Sequence, residues 1–257
     1  MKKIVIANWK MNLSIKESQD LTKKIIEGLK RIKNLENIEL VLSPSFLAIP
    51  FVKEIIKNSL IPIYLSAQDI FWEEKGDYTG EISPLFLKEL EVDFAIIGHS
   101  ERRMNLKEDD EMIHKKVRIA LLHQISPIIC IGETFEEREE NQTDIVLIKQ
   151  VSFALGGIKL TEKNKIIIAY EPVWAIGSGQ AVDVRQLQHA KFIIKQRLVD
   201  LFGIDLVDKC FRIIYGGSVN SSNVKKFVEK KIDGFLIGGA SLNADEFLKI
   251  IEIISKA

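Results

Sequence analysis

The stretch KIIIAYEPVW, residues 165–174, decides the fold class of this chain. Its apolar residues form a continuous run rather than an alternating one, which is typical of a strand buried on both faces of a parallel sheet. The acid Glu171 stands where this run ends, and a glycine-containing segment follows it. The pattern predicts a buried parallel strand whose carboxyl end bears a carboxylate beside a flexible segment.

Eight runs of this kind, including the one just described, are distributed along the chain. They are KIVIAN (3–8), IELVLS (38–43), IYLSAQ (63–68), FAIIGH (94–99), PIICIGE (127–133), IIIAYE (166–171), RIIYGG (212–217) and GFLIGG (234–239). Their starts lie roughly 20–45 residues apart, and helical patterns fill the intervals. We predict an α/β fold, a closed single-domain (β/α)8 barrel spanning residues 1–257, with a doubly wound open sheet as the alternative.

Several of the intervening segments carry helix-start signals. Ser14 and Glu17 form a capping-box pattern before an apolar stripe, and Asn243 with Glu246 opens a last helix. A helix over residues 108–123 begins with the acids EDDE and ends with basic residues, which complements the helix dipole. These signals predict helices between the strands and support the barrel.

The composition limits the possible function classes. The chain has 36 basic and 36 acidic residues, and this balance argues against a general nucleic-acid or membrane-surface binder. No run approaches about 18 uninterrupted apolar residues, and the amino-terminal segment lacks a signal-peptide pattern, so we expect no membrane span. The two cysteines, Cys130 and Cys210, have no disulfide or zinc spacing, which fits a reducing, cytoplasmic setting.

Polar residues follow several strands at the end where a barrel of this kind carries its active face. Asn8 and Lys10 follow the first strand, His99 and Glu101 follow the fourth, and Glu171 follows the sixth. A carboxylate buried under a flap would be a usable base, and an imidazole at a helix start would stay neutral. Taken singly, each residue also fits an ordinary role, such as a loop acid, a core histidine or a surface lysine.

Glycine pairs end the last two strands, at Gly216-Gly217-Ser218 and at Gly238-Gly239. Glycine lets the main chain approach a phosphate closely, and the exposed N–H groups can then bind it. Phosphate-binding barrels often use the loops after strands seven and eight. Either pair alone would be an ordinary turn, but both together in this order indicate a phosphate site.

Five motifs together resemble the triosephosphate isomerase family. They are ANWKMN (7–12), IGHSERR (97–103), AYEPVWAIGSG (169–179), YGGSV (215–219) and FLIGGASL (235–242), in colinear order. The likeness extends from residue 3 to about residue 250, which is almost the whole chain. It implies a TIM barrel and an isomerase of glycolysis and gluconeogenesis, without metal or cofactor, that interconverts dihydroxyacetone phosphate and D-glyceraldehyde 3-phosphate through an enediolate.

The resemblance also implies a role for each strand-end residue. Glu171 corresponds to the base that moves a proton between two substrate carbons, and neutral His99 corresponds to the group that polarises the carbonyl. Lys10 would stabilise the developing oxyanion and the phosphate, while Asn8 would help to position Lys10 and the substrate. Glu101 corresponds to a family carboxylate near that lysine.

The substrate phosphate would be bound by main-chain N–H groups, as the resemblance implies. These groups belong to Gly177, Ser218, Gly238 and Gly239. Residues 173–182 would close over the bound substrate as a lid, exclude water and protect the intermediate.

Three residues depart from the family pattern. Ser178 stands where threonine is more usual, and Gln180 replaces a common lysine at the second hinge of the lid. Asp69 follows Ala-Gln where asparagine is familiar. None of the three changes removes a group that performs the chemistry.

The segment WEEKGDYTGEIS, residues 72–83, resembles the subunit-contact loop of the family. The resemblance implies a homodimer or a higher assembly, in which the loop around residues 70–83 enters the neighbouring subunit. Thr79 would then lie closest to Asn8 and Glu101. Without the resemblance, the same segment would be read as a surface loop with scattered aromatic residues.

Three other functions are compatible with parts of the pattern. A Schiff-base aldolase would need a lysine at the carboxyl end of the sixth strand, but Lys165 opens that strand and Glu171 ends it. A metal-dependent aldolase would need clustered ligands, whereas the four histidines are scattered along the chain. A barrel that binds without catalysis would have lost some of the groups named above.

Overall fold

The computed structural model describes residues 2–59, 61–175, 182–229 and 232–256. Within them, eight parallel strands close into a barrel in which each strand pairs with its sequence neighbours. The strands are β1 (Lys3–Asn8), β2 (Ile38–Ser43), β3 (Ile63–Ala67), β4 (Phe94–Ile97), β5 (Ser126–Ile131), β6 (Ile166–Tyr170), β7 (Phe211–Tyr215) and β8 (Gly234–Ile237). The predicted barrel is therefore confirmed, and the open-sheet alternative is wrong.

Helices connect the successive strands, because parallel strands require crossover connections. In the described ranges they are α1 (Ile15–Leu29), α2 (Ile49–Lys57), α3 (Pro84–Glu89), α4 (Ser100–Leu106), α5 (Asp110–Leu122), α6 (Phe135–Glu139), α7 (Thr143–Leu155), α8 (Val184–Phe202), α9 (Ile204–Cys210), α10 (Val224–Val228) and α11 (Ala244–Ser255). One-turn 3-10 helices span Leu35–Asn37, Phe46–Ala48, Val173–Ala175 and Gly239–Leu242. In the described residues, each helix is too short or too polar to cross a membrane.

Two apolar layers explain why the strand sequences are continuously apolar. Side chains of alternate strand residues point to opposite faces, so a strand packed on both faces needs apolar residues at each position. The outer layer includes Val5 and Ala7 of β1 together with Leu21 and Ile25 of α1. A separate inner cluster fills the barrel with Ile4, Ile6, Val41, Phe94, Ile96, Ile128, Cys130, Ile167, Ala169, Ile214 and Leu236.

The predicted helix starts are confirmed, with one shift. Ser14 accepts a hydrogen bond from the N–H of Glu17 in a complete capping box, and Asn243 accepts one from the N–H of Glu246. The helix predicted over 108–123 begins at Asp110 instead, because the side chain of Asp109 caps it. Glu108, which precedes the cap, is buried and forms ion pairs.

Candidate active site

A cavity of about 340 Å³ lies where the carboxyl ends of the strands meet. Parallel pairing in register brings these ends to one rim, as Asn8 beside Ser43 and Tyr170 beside Tyr215 illustrate. Most of the predicted site residues line this cavity: Asn8, Lys10, His99, Glu171, Ser218, Gly238 and Gly239. Its other lining residues are Gly216, Gly217, Val219, Asn220, Leu236 and Ala240.

Glu171 follows β6 directly and is only 2% exposed. Its Oε2 accepts a hydrogen bond of 3.4 Å from the N–H of Ser100 at the start of α4. Gly216 packs so closely that a Cβ atom there would lie 2.7 Å from the Cγ of Glu171. The carboxylate is therefore held between two strand ends, with room to reach a ligand only through the cavity.

His99 caps α4, and its hydrogen bonds indicate which ring nitrogen carries the proton. Its Nδ1 accepts a hydrogen bond of 3.2 Å from the N–H of Glu101, so Nδ1 cannot itself be protonated. The neutral ring then carries its hydrogen on Nε2, which lies 3.4 Å from Oε1 of Glu171. His99 thus presents an N–H donor to the cavity beside the carboxylate.

Lys10 is held at its main-chain N–H and at the tip of its side chain. Its N–H donates to Oδ1 of Asn8 at 3.1 Å, and its Nζ donates to Oε1 of Glu101 at 2.5 Å. Asn8 is 5% exposed, whereas the side chains of Lys10 and Glu101 are 26% and 43% exposed. Glu101 does not itself line the cavity, but it contacts two residues that do, Lys10 and His99.

The glycines that end β8 leave open space beside Lys10. A Cβ atom at Gly238 would lie 3.4 Å from Cε of Lys10, and one at Gly239 would meet no atom within 4 Å. The 3-10 helix Gly239–Leu242 starts here, and the first N–H groups of a helix lack intrahelical partners. Together with Ser218, these residues can bind an anion. The fourth predicted phosphate contact, Gly177, lies outside the described residues, as do Ser178 and Gln180.

Glu133 lies next to the predicted lid, and the sequence analysis did not single it out. It is fully buried beyond the end of β5 and accepts hydrogen bonds from the hydroxyl of Tyr170 at 3.1 Å and from Nε1 of Trp174 at 3.0 Å. Burial and the adjacent carboxylate raise the pKa of Tyr170, so this hydroxyl stays protonated and donates. Glu133 thereby fixes the start of the predicted lid. A polar residue after a buried strand was the signal available, as for Glu171.

At the other side of the lid, Val182 is the first residue described after the gap. Its N–H donates to the hydroxyl of Tyr215 at 3.3 Å, and burial raises the pKa of Tyr215 to about 12. The two described ends of the predicted lid thus have separate partners: Trp174 donates to Glu133, and Val182 donates to Tyr215.

Cys130 lies inside the barrel beneath Glu171, which the sequence did not indicate. Its side chain is buried and is influenced by the negative charge of the Glu171 carboxylate. Burial, together with that negative charge, raises the pKa of the thiol well above its ordinary value. The thiol therefore stays protonated.

Asp69, which departs from the family pattern, lies in a buried cluster of charges. Both of its oxygens accept from Nζ of Lys116, at 2.7 and 2.8 Å, and Oδ2 pairs with Arg102 at 2.8 Å. Glu108 shares both cations, with Arg102 at 2.6 Å and with Lys116. The cluster joins the end of β3 to α4 and α5.

No set of three or more His, Cys, Asp or Glu residues in the described ranges is arranged to hold a metal ion.

The loop predicted as a subunit contact projects from the barrel. Phe71 is buried at its base and packs against Trp72 and Tyr78, with ring centroids 4.1 and 4.7 Å apart. Tyr78 is nevertheless 45% exposed, and residues 73–81 are exposed throughout. The loop is thus internally packed but presents its tip to solvent.

Comparison with known proteins points to one family. The sequence model of triosephosphate isomerase matches residues 3–254. Triosephosphate isomerase of Thermoanaerobacter sp. (strain X514) is 43% identical over 249 residues, which cover 96% of this chain and 98% of that protein. The enzyme of Caldanaerobacter subterraneus subsp. tengcongensis is 44% identical with the same coverage of 96% and 98%. The crystal structure of triosephosphate isomerase from Bartonella henselae superposes with a TM-score of 0.86 at 33% identity, covering 98% of this chain and 99% of that chain.

Proposed function

Because the chain belongs to the triosephosphate isomerase family, we propose that it interconverts dihydroxyacetone phosphate and D-glyceraldehyde 3-phosphate by proton transfer at Glu171. Membership of this family makes it an intramolecular isomerase. The observation that supports the mechanism is the buried carboxylate of Glu171, 3.4 Å from Nε2 of His99 in one cavity. Glu171 as base and His99 as electrophile would therefore face the same substrate.

The proposed reaction needs two proton transfers on carbon and no net change in atoms. The carboxylate of Glu171 removes a proton from C1 of dihydroxyacetone phosphate, and the C–H electron pair forms the double bond of an enediolate. His99 donates its Nε2 proton to the oxygen on C2 and takes the proton of the hydroxyl group on C1, so it moves one proton between the two oxygens and stabilises the negative charge that develops there. A neutral imidazole as electrophile is the established arrangement of this family and no new deduction. Glu171 then returns the proton to C2.

Lys10 contributes the positive charge that the intermediate and the phosphate require. Its ammonium is tethered by Glu101 and its peptide group by Asn8, so little reorganisation is needed when charge develops. The phosphate would be bound by N–H groups at Ser218, Gly238 and Gly239, and by Gly177 when the lid closes. A Schiff-base aldolase is not favoured, because Nζ of Lys165 donates to the carbonyl of Lys209 at the opposite end of the barrel.

We extend the proposal to assembly and cellular role. The exposed tip of the loop around residues 70–83 supports a homodimer, in which Thr79 reaches the neighbouring site. Met11, in the loop after β1, is 96% exposed, which suits a position covered by a second subunit. A single domain over 1–257, a cytoplasmic location and a role in glycolysis and gluconeogenesis belong to the same proposal.

The test measures isomerisation of glyceraldehyde 3-phosphate through coupled reduction of the dihydroxyacetone phosphate formed. The Glu171→Gln variant keeps the shape of the side chain but loses the base, so turnover should fall by at least roughly 100-fold. Glu36→Gln makes the same change at an exposed residue and should match the wild type. An inactive wild type would refute the function, and near-normal turnover of folded Glu171→Gln would refute the base. A covalent adduct after borohydride treatment with substrate would favour an aldolase instead.

A further inference from the structure

Lys10 adopts a main-chain conformation that L-residues rarely take. Its φ is +51°, in the left-handed region, which is uncommon for residues other than glycine. Four of the other five such residues in the described ranges follow the end of a helix, where this conformation is usual: Glu91, Lys107, Gln124 and Asn141. The fifth, Asn34, precedes a 3-10 helix, and asparagine adopts this conformation more readily than most residues. Lys10 lies between β1 and α1 instead, so its conformation must be imposed by its contacts.

One of those contacts comes from Gln68, which immediately follows β3. Its Nε2 donates to the carbonyl oxygen of Lys10 at 2.9 Å and to that of Ser43 at 3.0 Å. The carbonyl of Ser43 also accepts from the N–H of Trp9 at 3.1 Å. A single amide group therefore joins the carboxyl ends of β1, β2 and β3, and it binds the carbonyl oxygen of the residue in the left-handed conformation.

Gln68 is itself held in place by its neighbour in the sequence. Asp69 is 4% exposed and pairs with Arg102 of α4 at 2.8 Å. Arg102 directly follows Glu101, whose carboxylate binds Nζ of Lys10 at 2.5 Å. The two residues that hold opposite ends of Lys10, Gln68 and Glu101, are thus each adjacent to one member of the same ion pair.

We propose that Gln68 is a positioning residue for the isomerisation, because its amide holds the main chain of Lys10 in the conformation that directs the ammonium group into the cavity. The inference rests on the proposed function. Asn8 fixes the N–H of Lys10, Glu101 fixes its Nζ, and Gln68 fixes its carbonyl. Without Gln68, the peptide after Lys10 can rotate, and the ammonium group loses its defined direction.

The first test is Gln68→Met, which keeps the length of the side chain and removes both donated hydrogen bonds. The loss should lower kcat/KM by about tenfold, the rate equivalent of one positioning hydrogen bond. KM should rise together with a fall in kcat, because the ammonium group serves the phosphate and the oxyanion. Gln188→Met makes the same change at an exposed site on α8 and should behave as the wild type.

The second test is Gln68→Glu, which separates positioning from a purely structural role. An ionised carboxylate has no proton to donate and would repel the two carbonyl oxygens, whereas a protonated carboxyl can donate one hydrogen bond. The activity of this variant relative to the wild type should therefore rise severalfold as the pH falls from about 9 to about 5. Both proteins contain the same other charged groups nearby, so comparing their activities at each pH removes the effect that these groups have on both. The groups are Lys10, Glu101, Asp69, Arg102, Glu108, Lys116, His99 and Glu171.

The outcomes distinguish this inference from the proposed function. An inactive wild type would refute the function, and the inference would fall with it. An active wild type with folded Gln68→Met within about twofold of it would refute only the inference, since about tenfold is expected. A deficit of Gln68→Glu that stays constant with pH would show that the side chain acts only as a structural link. A deficit that shrinks on acidification supports positioning.

Discussion

Gly216 is where the geometry of Glu171 is most sensitive to a single atom. A Cβ atom there would lie 2.7 Å from Cγ and 3.2 Å from Oε1 of the carboxylate. Because Glu171 is buried, it cannot move away into solvent and would instead tilt within the cavity. We predict that Gly216→Ala lowers kcat by about tenfold or more, since misplacement of a catalytic group by about 1 Å can cost two orders of magnitude. Steady-state kinetics on folded protein would measure this.

Gly239 provides the matched comparison for Gly216→Ala. A Cβ atom at Gly239 would meet nothing within 4 Å, so Gly239→Ala should fold as the wild type does. Its methyl group would occupy space at the proposed phosphate site and should raise KM more than it lowers kcat. If Gly216→Ala and Gly239→Ala affected kcat and KM in the same proportion, the separate assignment of base and phosphate sites would be wrong.

Among the elements, the end of β3 is joined to α4 and α5 by a buried cluster of four charges. Each of the two carboxylates, Asp69 and Glu108, forms ion pairs with both Lys116 and Arg102. The pKa of Asp69 rises from 3.8 to about 6, mainly because burial outweighs the attraction of Lys116. Repulsion by Glu108 contributes to this rise. A carboxyl whose pKa is higher in the folded state stabilises the fold at low pH. That contribution is lost as the pH rises through the folded value.

We therefore predict that Asp69→Asn gains stability relative to the wild type as the pH rises from about 4 to above about 6. The shift of about two units corresponds to about 3 kcal/mol at most. Denaturant unfolding at several pH values and one protein concentration would measure the difference. Asp200→Asn, at a side chain that is 62% exposed, is the control and should show no such trend. A relative loss of stability with rising pH would mean that the two cations dominate.

The strands were predictable from the sequence, but several contacts between their ends were not. A continuous apolar run identifies a buried parallel strand, since both faces must be apolar, and the polar residue after the run identified Glu171, His99 and Lys10. Cys130 sits within such a run and looks like any small core residue. Gln68 acts through an amide contact to a carbonyl 58 positions away. Such partners depend on strand register and side-chain direction, which the pattern along one chain does not contain.

At the scale of the whole molecule, the barrel is closed, but several apolar side chains on its surface are exposed to solvent. The loop around residues 70–83 packs its own base, where Phe71 is buried, but leaves Tyr78 45% exposed. Met11 at 96%, Met104 at 50% and Phe86 at 56% are further exposed apolar side chains. A contiguous exposed apolar area would mark an association site, and in the proposed homodimer Tyr78 and Met11 would lie at the contact. The loop after β1, which carries Lys10, also carries Met11, so covering this surface would restrain the site.

We predict that replacing Tyr78 and Thr79 together by aspartate yields monomers with at least roughly tenfold lower kcat/KM. Two buried charges would oppose association, and the loop that carries Lys10 and Met11 would lose its cover. Sedimentation velocity would report the assembly and the coupled assay the activity. Phe192→Asp, at an aromatic residue of α8 that is 58% exposed, is the control and should leave both unchanged. Fully active monomers would refute support of the site by a neighbour, and an unchanged assembly would refute the loop as the contact.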